Sequence, residues 1–185
     1  MGNHILAINP GSTSTKIALF EGHKQVFVTT LRHSIEELSQ YEKVSDQFEF
    51  RKQTILNALV ENRIEMDLIE AIVGRGGLVK PIKSGVYEVN EAMLRDLEEG
   101  VGGEHASNLG GLIAHNIASS IKGCKAFIAD PVVVDELEPI ARITGHPLLE
   151  RKSIFHALNQ KAIAKSYAAS VNSTYESLNL IIAHL

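Results

Sequence analysis

The stretch Gly11-Ser12-Thr13-Ser14-Thr15-Lys16 puts a glycine, four hydroxyl side chains and a cation into one short connection. Such a turn can hold phosphate, because backbone N–H groups and hydroxyls donate to phosphate oxygens while the Lys16 ammonium supplies charge. It is not a Walker A loop, which needs a second glycine before the lysine and a helix after it. A Ser/Thr-rich hairpin turn is the alternative reading. Further along, Gly74-Arg75-Gly76-Gly77 sets a guanidinium between residues without side chains, so Arg75 can approach an anion closely and clamp a carboxylate. The alternative there is a surface arginine in a flexible turn.

Three more positions carry chemistry. His105, in Glu104-His105-Ala106-Ser107-Asn108, is a titratable group at a helix start for which Ser107 or Asn108 is the candidate cap. Asp130, immediately before Pro131, can bind Mg²⁺ through water, orient another side chain, or simply make a turn. His156 follows Phe155 just ahead of a helical pattern, where an imidazole donor can stabilise transition-state charge or serve structure alone. His115 and His146 have no partner at H-x-x-x-H spacing and Cys124 has no second thiol. Neither zinc nor a cysteine nucleophile is supported.

These residues need a scaffold, and the apolar pattern supplies one. His4 to Ile8, Lys16 to Phe20 and Gln25 to Leu31 read as strands of an antiparallel meander whose first turn is the hydroxyl-rich loop. Phe48 to Asn62 has helical spacing and leads into a buried strand, Leu68 to Val73, that ends at Gly74-Arg75. Asn90 is the expected cap of a helix over Glu91 to Glu99, stopped by Gly100. Ser107 to Ile121 predicts another helix, Ala126 to Ala129 a strand ending at Asp130, Leu158 to Ala169 a helix, and Leu178 to Leu185 a final strand. The order is mixed α/β, without internal repeats.

Composition narrows the classes of function. The 185 residues are 44% hydrophobic and 22% charged, near the globular average, with a formal charge of −4 and scattered Lys and Arg. No electrostatic footprint for nucleic acid or an anionic membrane results, and small molecules are the expected partners. A lone cysteine excludes an intramolecular disulfide framework, and the apolar start Ile5 to Ile8 is too short for a signal core or a membrane span. The cytoplasm is the expected compartment.

Taken in order, the motifs resemble the acetate and butyrate kinase family of the actin, sugar-kinase and Hsp70 fold, over the whole chain. Ile8-Asn9-Pro10-Gly11-Ser12-Thr13-Ser14-Thr15-Lys16 looks like that family's first phosphate loop, with Asn9, Gly11, Ser12, Ser14 and Lys16 on its nucleotide-binding positions. Gly74-Arg75-Gly76-Gly77 matches the segment whose arginine holds the substrate carboxylate. The segments around His105, Asp130 and His156 look like butyrate kinases rather than acetate kinases.

The resemblance implies an α/β actin-like, ribonuclease H-like domain over residues 1–150 and the connecting helix and first strand of a second, similar domain over 151–185. It implies catalytic roles for Arg75, His105, Asp130 and His156, a magnesium site organised by Asp130, and His184 on the nucleotide side. In the family the strand matching Ala183-His184-Leu185 runs into a second phosphate loop, the adenosine site and a second arginine, so the sequence reads as the N-terminal part of such a kinase. The implied reaction is reversible phosphoryl transfer from ATP to a short carboxylate such as butyrate or a branched four- or five-carbon acid, in a homo-oligomer. No general base is required, since a carboxylic acid is already ionised at neutral pH. Phe155 and Gly77 are the implied substrate-pocket residues. Acetate kinases carry a bulky β-branched residue where Gly77 stands, so its missing side chain is expected to leave room for a longer acyl tail. A non-catalytic fragment that binds a carboxylate or a protein partner is the alternative.

Overall fold

The computed structural model describes residues 4–153 and 156–183. Three strands open the chain, β1 (His4–Pro10), β2 (Ser14–Glu21) and β3 (Lys24–Arg32), and they pair as an antiparallel meander. β1 sends Leu6 and Ile8 into the core while β3, at the sheet edge, buries no residue fully and turns Phe27 and Leu31 toward it. This alternation is the period-two pattern of a strand with one covered face.

Beyond the meander a four-residue helix α1 (Ile35–Leu38) is held by a capping box, with the Ser34 N–H donating to Glu37 Oε2 at 2.7 Å and the Glu37 N–H to Ser34 Oγ at 3.2 Å. Helix α2 (Phe48–Glu61) then leads to β4 (Ile69–Arg75), which lies parallel beside β1. β5 (Val86–Glu88), α3 (Glu91–Glu99), α4 (Asn108–Ser119) and β6 (Lys125–Ala129) follow. The Asn90 side chain caps α3 by accepting from Ala92 and Met93 N–H, and Gly100 ends that helix in the left-handed region at φ 65°.

The six strands run β3-β2-β1-β4-β6-β5, with β1, β4 and β6 mutually parallel at the centre. Helix α4 lies on β4 and β6, and α2 and α3 pack beside it. The core joins Leu6, Ile8 and Ile17 of the sheet to Ile55 and Leu59 of α2 and to Ile113 and Ile117 of α4. Backbone approaches backbone where α4 crosses β4: a Cβ on Gly74 would lie 2.2 Å from the Gly110 carbonyl oxygen, and one on Gly110 would lie 2.5 Å from that of Arg75. Glycine is required there by the closeness of helix and strand.

After β6 the chain through residue 153 holds only a short 3-10 turn at Pro139–Arg142 and isolated bridges of Val134 to Ile82 and of Ile143 to Glu150. Arg142 donates to both Asp135 carboxylate oxygens, at 2.8 and 3.1 Å, and the Ser153 hydroxyl donates to the Val134 carbonyl. Helix α5 (Ala157–Ser170) closes the regular structure, tied back by a Lys161–Glu136 ion pair. Hydrogen bonds from Lys161 and from the Ser84 hydroxyl and N–H hold the Glu136 carboxyl down at about 2.

The strand expected over Leu178 to Leu185 does not form among its described residues, 178–183. A strand is made by its hydrogen-bond partner, and this segment pairs with neither edge of the sheet; Ile181 is 98% exposed. His184 and Leu185 lie outside the described residues. Among the described residues no helix is long and apolar enough to cross a membrane.

Candidate functional site

Parallel strands bring their C-terminal ends to one edge of a sheet, and here the register is close. Ile8 of β1 stands opposite Gly74 of β4, and Arg75 opposite Ala129 of β6, so Asn9, Arg75 and Asp130 all emerge at that edge. A cleft of about 370 Å³ opens there, lined by Asn9, Gly11, Ser12, Ser14, Lys16, Arg75, His105 and His156, together with Pro10, Thr30, Ser107 and Val132. A larger cavity of about 420 Å³ lies between Val79, Pro81, Val101 and Val133 but contains none of the expected site residues. Residue chemistry, rather than size, singles out the cleft.

One wall is the loop between β1 and β2. Its four carbonyls at positions 11 to 14 are all satisfied: Gly11, Ser12 and Ser14 accept from the Arg51 guanidinium at 2.8, 3.0 and 3.2 Å, and Thr13 accepts from the His33 N–H at 2.9 Å. The Gly11 N–H closes the turn onto the Ser14 carbonyl at 2.7 Å. The N–H groups of Ser12 and Thr13 donate to no protein acceptor among the described residues, and both residues are exposed. Lys16, also exposed, forms no ion pair among them. Free amides beside an unpaired ammonium are the arrangement that receives a polyanion.

The opposite wall is Arg75. Its charged partner among the described residues is Asp130, with Nη2 to Oδ2 at 3.9 Å, too long for a hydrogen bond. The guanidinium is thus steered by a carboxylate while its N–H donors stay available. Asp130 is engaged from several sides: His156 Nδ1 stands 3.3 Å from Oδ2, and the Leu158 N–H in the first turn of α5 donates to Oδ1 at 3.1 Å. Its backbone takes φ 54°, a left-handed conformation that aspartate tolerates better than most residues. Asp130 stands behind the cleft lining and orients Arg75, His156 and the start of α5.

His105 is held from its Nδ1 side, which accepts from the Ser107 N–H at 3.2 Å and lies 2.8 Å from the Ser107 hydroxyl, an arrangement that leaves Nε2 as the ring nitrogen for a further partner. This revises the expected capping of α4. Ser107 occupies the cap position with helical backbone and no capping bond, its hydroxyl being turned to His105. Asn108 does not cap either, since its amide accepts from the Leu78 N–H at 2.9 Å and donates to the Gly103 carbonyl at 2.9 Å.

The glycines flanking Arg75 also act differently from the expectation. Gly74 meets α4, and a Cβ on Gly76 would lie 2.8 Å from Pro131 Cβ, so both serve packing of the scaffold rather than approach of an anion. Gly77 is buried and lies outside the cleft lining. A Cβ there would meet the Asn108 Cα and Oδ1 at 2.6 Å and Leu97 Cδ2 at 2.7 Å. The volume that its missing side chain frees is already filled by protein, so it provides no room for an acyl tail. Phe155 and His184 lie outside the described residues.

Sequence reasoning missed Arg51, although a signal existed. Arg51 precedes Ile55 and Leu59 at i, i+4 spacing on the buried face of α2, and a charge on an apolar stripe requires a set of acceptors. Among the described residues no three His, Cys, Asp or Glu side chains cluster to hold a metal ion. The fit to Mg²⁺ therefore rests on the single carboxylate of Asp130, which suits an ion that keeps most of its waters and phosphate ligands.

No family model matches the chain. Its sequence is 60% identical over 181 residues to a protein named Butyrate kinase 2 from Clostridium acetobutylicum, and 58% identical over 181 residues to Butyrate kinase 1 of that organism. Each match covers 98% of this chain and 51% of the relative, so the chain spans about half the length of the curated relatives it matches. Among solved structures it is similar to the acetate kinase of Porphyromonas gingivalis, at TM-score 0.63 and 15% identity, covering 94% of this chain and 50% of that one. A propionate kinase from Francisella tularensis is similar at TM-score 0.61 and 15% identity, with the same coverage. At that identity the likeness is one of fold, and it places the chain in the actin-like α/β class.

Proposed function

We propose that the chain is the acyl-binding and first phosphate-binding part of a short-chain fatty-acid kinase of the butyrate kinase type, transferring phosphate reversibly from ATP to a carboxylate. The observation that carries this reading is the pairing across one cleft of an arginine with free donors and a loop with free amides and an unpaired lysine. Identity near 60% to two proteins named butyrate kinases favours butyrate as the acceptor, with a branched acid of four or five carbons as the variant of the same reading.

Each residue has a defined task in this reading. Arg75 binds the substrate carboxylate and holds one oxygen in line with the phosphorus. The amides of Ser12 and Thr13, the hydroxyls of Ser12 and Ser14, and Lys16 take up phosphate oxygens. His105 and His156 donate to the charge that spreads over the transferring group. Asn9 borders the same cleft and reaches the nucleotide side. Asp130 keeps Arg75 and His156 in register and would lie nearest a magnesium ion carried by the nucleotide. Such an ion, when bound, neutralises phosphate charge. The carboxylate needs no base, because it arrives ionised. Residues 1–150 form the lobe that carries these groups except His156, and 151–185, which contribute His156, begin a second lobe that supplies the adenosine site and a second arginine in a cytoplasmic homo-oligomer.

The test is acyl-phosphate formation trapped with hydroxylamine, using Mg-ATP with butyrate or acetate. It is run on this chain alone and on this chain joined to the complementary half of a butyrate kinase. Hydroxamate from the joined protein, faster with butyrate, is the expected result. No product from either would remove the kinase reading, and thermal stabilisation by butyrate without turnover would replace it with a carboxylate-binding module.

A further inference from the structure

We infer that Arg51 is a positioning residue that sets the first phosphate loop, holding its carbonyls inward so that its amides are left for the ligand. The phosphate part of this inference rests on the kinase reading above; the loop-setting part stands on geometry alone. Arg51 is 1% exposed and comes from α2, far from the loop in sequence. Its Nη1 donates to the Gly11 and Ser14 carbonyls and to Thr15 Oγ1, and its Nη2 to the Ser12 carbonyl. Its Nε and Nη2 are anchored from the other side by Gln47 Oε1, at 3.0 and 2.8 Å.

A polypeptide loop that presents successive N–H groups to an anion must send its carbonyls elsewhere, since carbonyl oxygens repel phosphate and cannot be left unpaired in a packed interior. A planar fork with five donors serves several acceptors at once, which an ammonium cannot do in the same geometry. No carboxylate neutralises Arg51 among the described residues; its acceptors are backbone carbonyls, a hydroxyl and an amide. The guanidinium therefore retains its full charge beneath the loop, and burial lowers it from its ordinary value without removing the proton at neutral pH. Arg51 thus adds positive potential under the phosphate site without touching the ligand.

The test compares the chain with Arg51→Met, which keeps the stem, and Arg51→Lys, which keeps the charge. Amide hydrogen exchange reads the loop directly: the Gly11 and His33 N–H groups, which close it onto Ser14 and Thr13, should exchange at least tenfold faster in Arg51→Met. Leu6 and Ile72 in the central strands should be unchanged. Binding of inorganic tripolyphosphate should weaken at least tenfold in Arg51→Met and by a smaller factor in Arg51→Lys. Unchanged exchange at Gly11 and His33 in a folded Arg51→Met chain would overturn the inference. So would loss of the whole fold in both variants, which would make Arg51 a general core residue. Faster loop exchange in variants of a chain that binds no tripolyphosphate would leave the loop assignment in place and remove the phosphate reading instead.

Discussion

At the scale of single residues, the proposed function separates cleft groups with free donors from groups that hold them in place. Arg75 has free donors and a charged neighbour 3.9 Å away, so its substitution should cost binding and turnover without harming the fold. Arg75→Ala in the joined protein is expected to lower kcat/KM for butyrate by about a hundredfold or more, with the melting temperature held. Arg75→Lys should recover only a fraction, because a point charge does not grip a carboxylate in two places. Gly77 gives the opposite pattern. Gly77→Val forces a side chain onto Asn108 and Leu97, contacts near 2.6 Å, and overpacking of that kind costs about 1–3 kcal/mol. A lowered melting temperature with equal losses for butyrate and acetate is expected; selective loss of butyrate would restore the acyl-pocket role that the sequence suggested. Asn9, Lys16 and Arg75 were legible because they stand on strands next to a glycine- or hydroxyl-rich turn, and His105 and His156 because each precedes a helical pattern. The roles of Gly74, Gly76 and Gly77 were not, since a close approach between distant segments leaves no mark on local sequence.

At the scale of elements, the meander, the parallel strands and the three longest helices followed from apolar period, and α3 from its cap, with observed bounds within a few residues of the pattern. Asn90 is the clearest case, and Asn90→Ala should destabilise the chain by about 1 kcal/mol in chemical denaturation. The short α1 was harder to see, its one turn being set by the Ser34–Glu37 box rather than by an apolar stripe. Residues 178–183 were overread because apolar composition gives extension, while strand formation needs a partner. The junction of β3 with α1 carries a further expectation. His33 is 5% exposed, with Nε2 2.9 Å from Thr15 Oγ1. Burial, and then the nearby Arg51 charge, lower it from the ordinary 6.5, with Glu37 opposing. The unfolded chain therefore takes up a proton near 6.5 that the folded chain refuses until lower pH, so stability is full above that value and falls as acid is added below it. The slope is at most about 1.4 kcal/mol per pH unit for one proton. Melting curves between pH 7.5 and 5 should show this fall, and His33→Gln should flatten it; an unchanged slope would assign the loss to other groups.

At the scale of the whole molecule, apolar exposure is distributed unevenly. The sheet and its helices cover their own core, whereas Ile140, Ile143, Leu148, Leu149, Ile163, Tyr167, Val171 and Ile181 are each at least 46% exposed, all beyond the last strand. Ile163 and Tyr167 on α5, with Val171 just past its end, follow i, i+4, i+8 spacing beside a face buried through Ala164 and Ala168. An exposed apolar stripe of this kind favours association. The isolated chain should bind a hydrophobic dye and sediment with a concentration-dependent coefficient. Ile163→Glu combined with Tyr167→Lys should reduce both effects while leaving the far-UV spectrum and the Arg51-dependent exchange of Gly11 and His33 unchanged. If the two-lobe proposal holds, joining the complementary half of a butyrate kinase should suppress dye binding more completely than those two substitutions. Dye binding that persists in the joined protein would show that the complementary half leaves this surface uncovered.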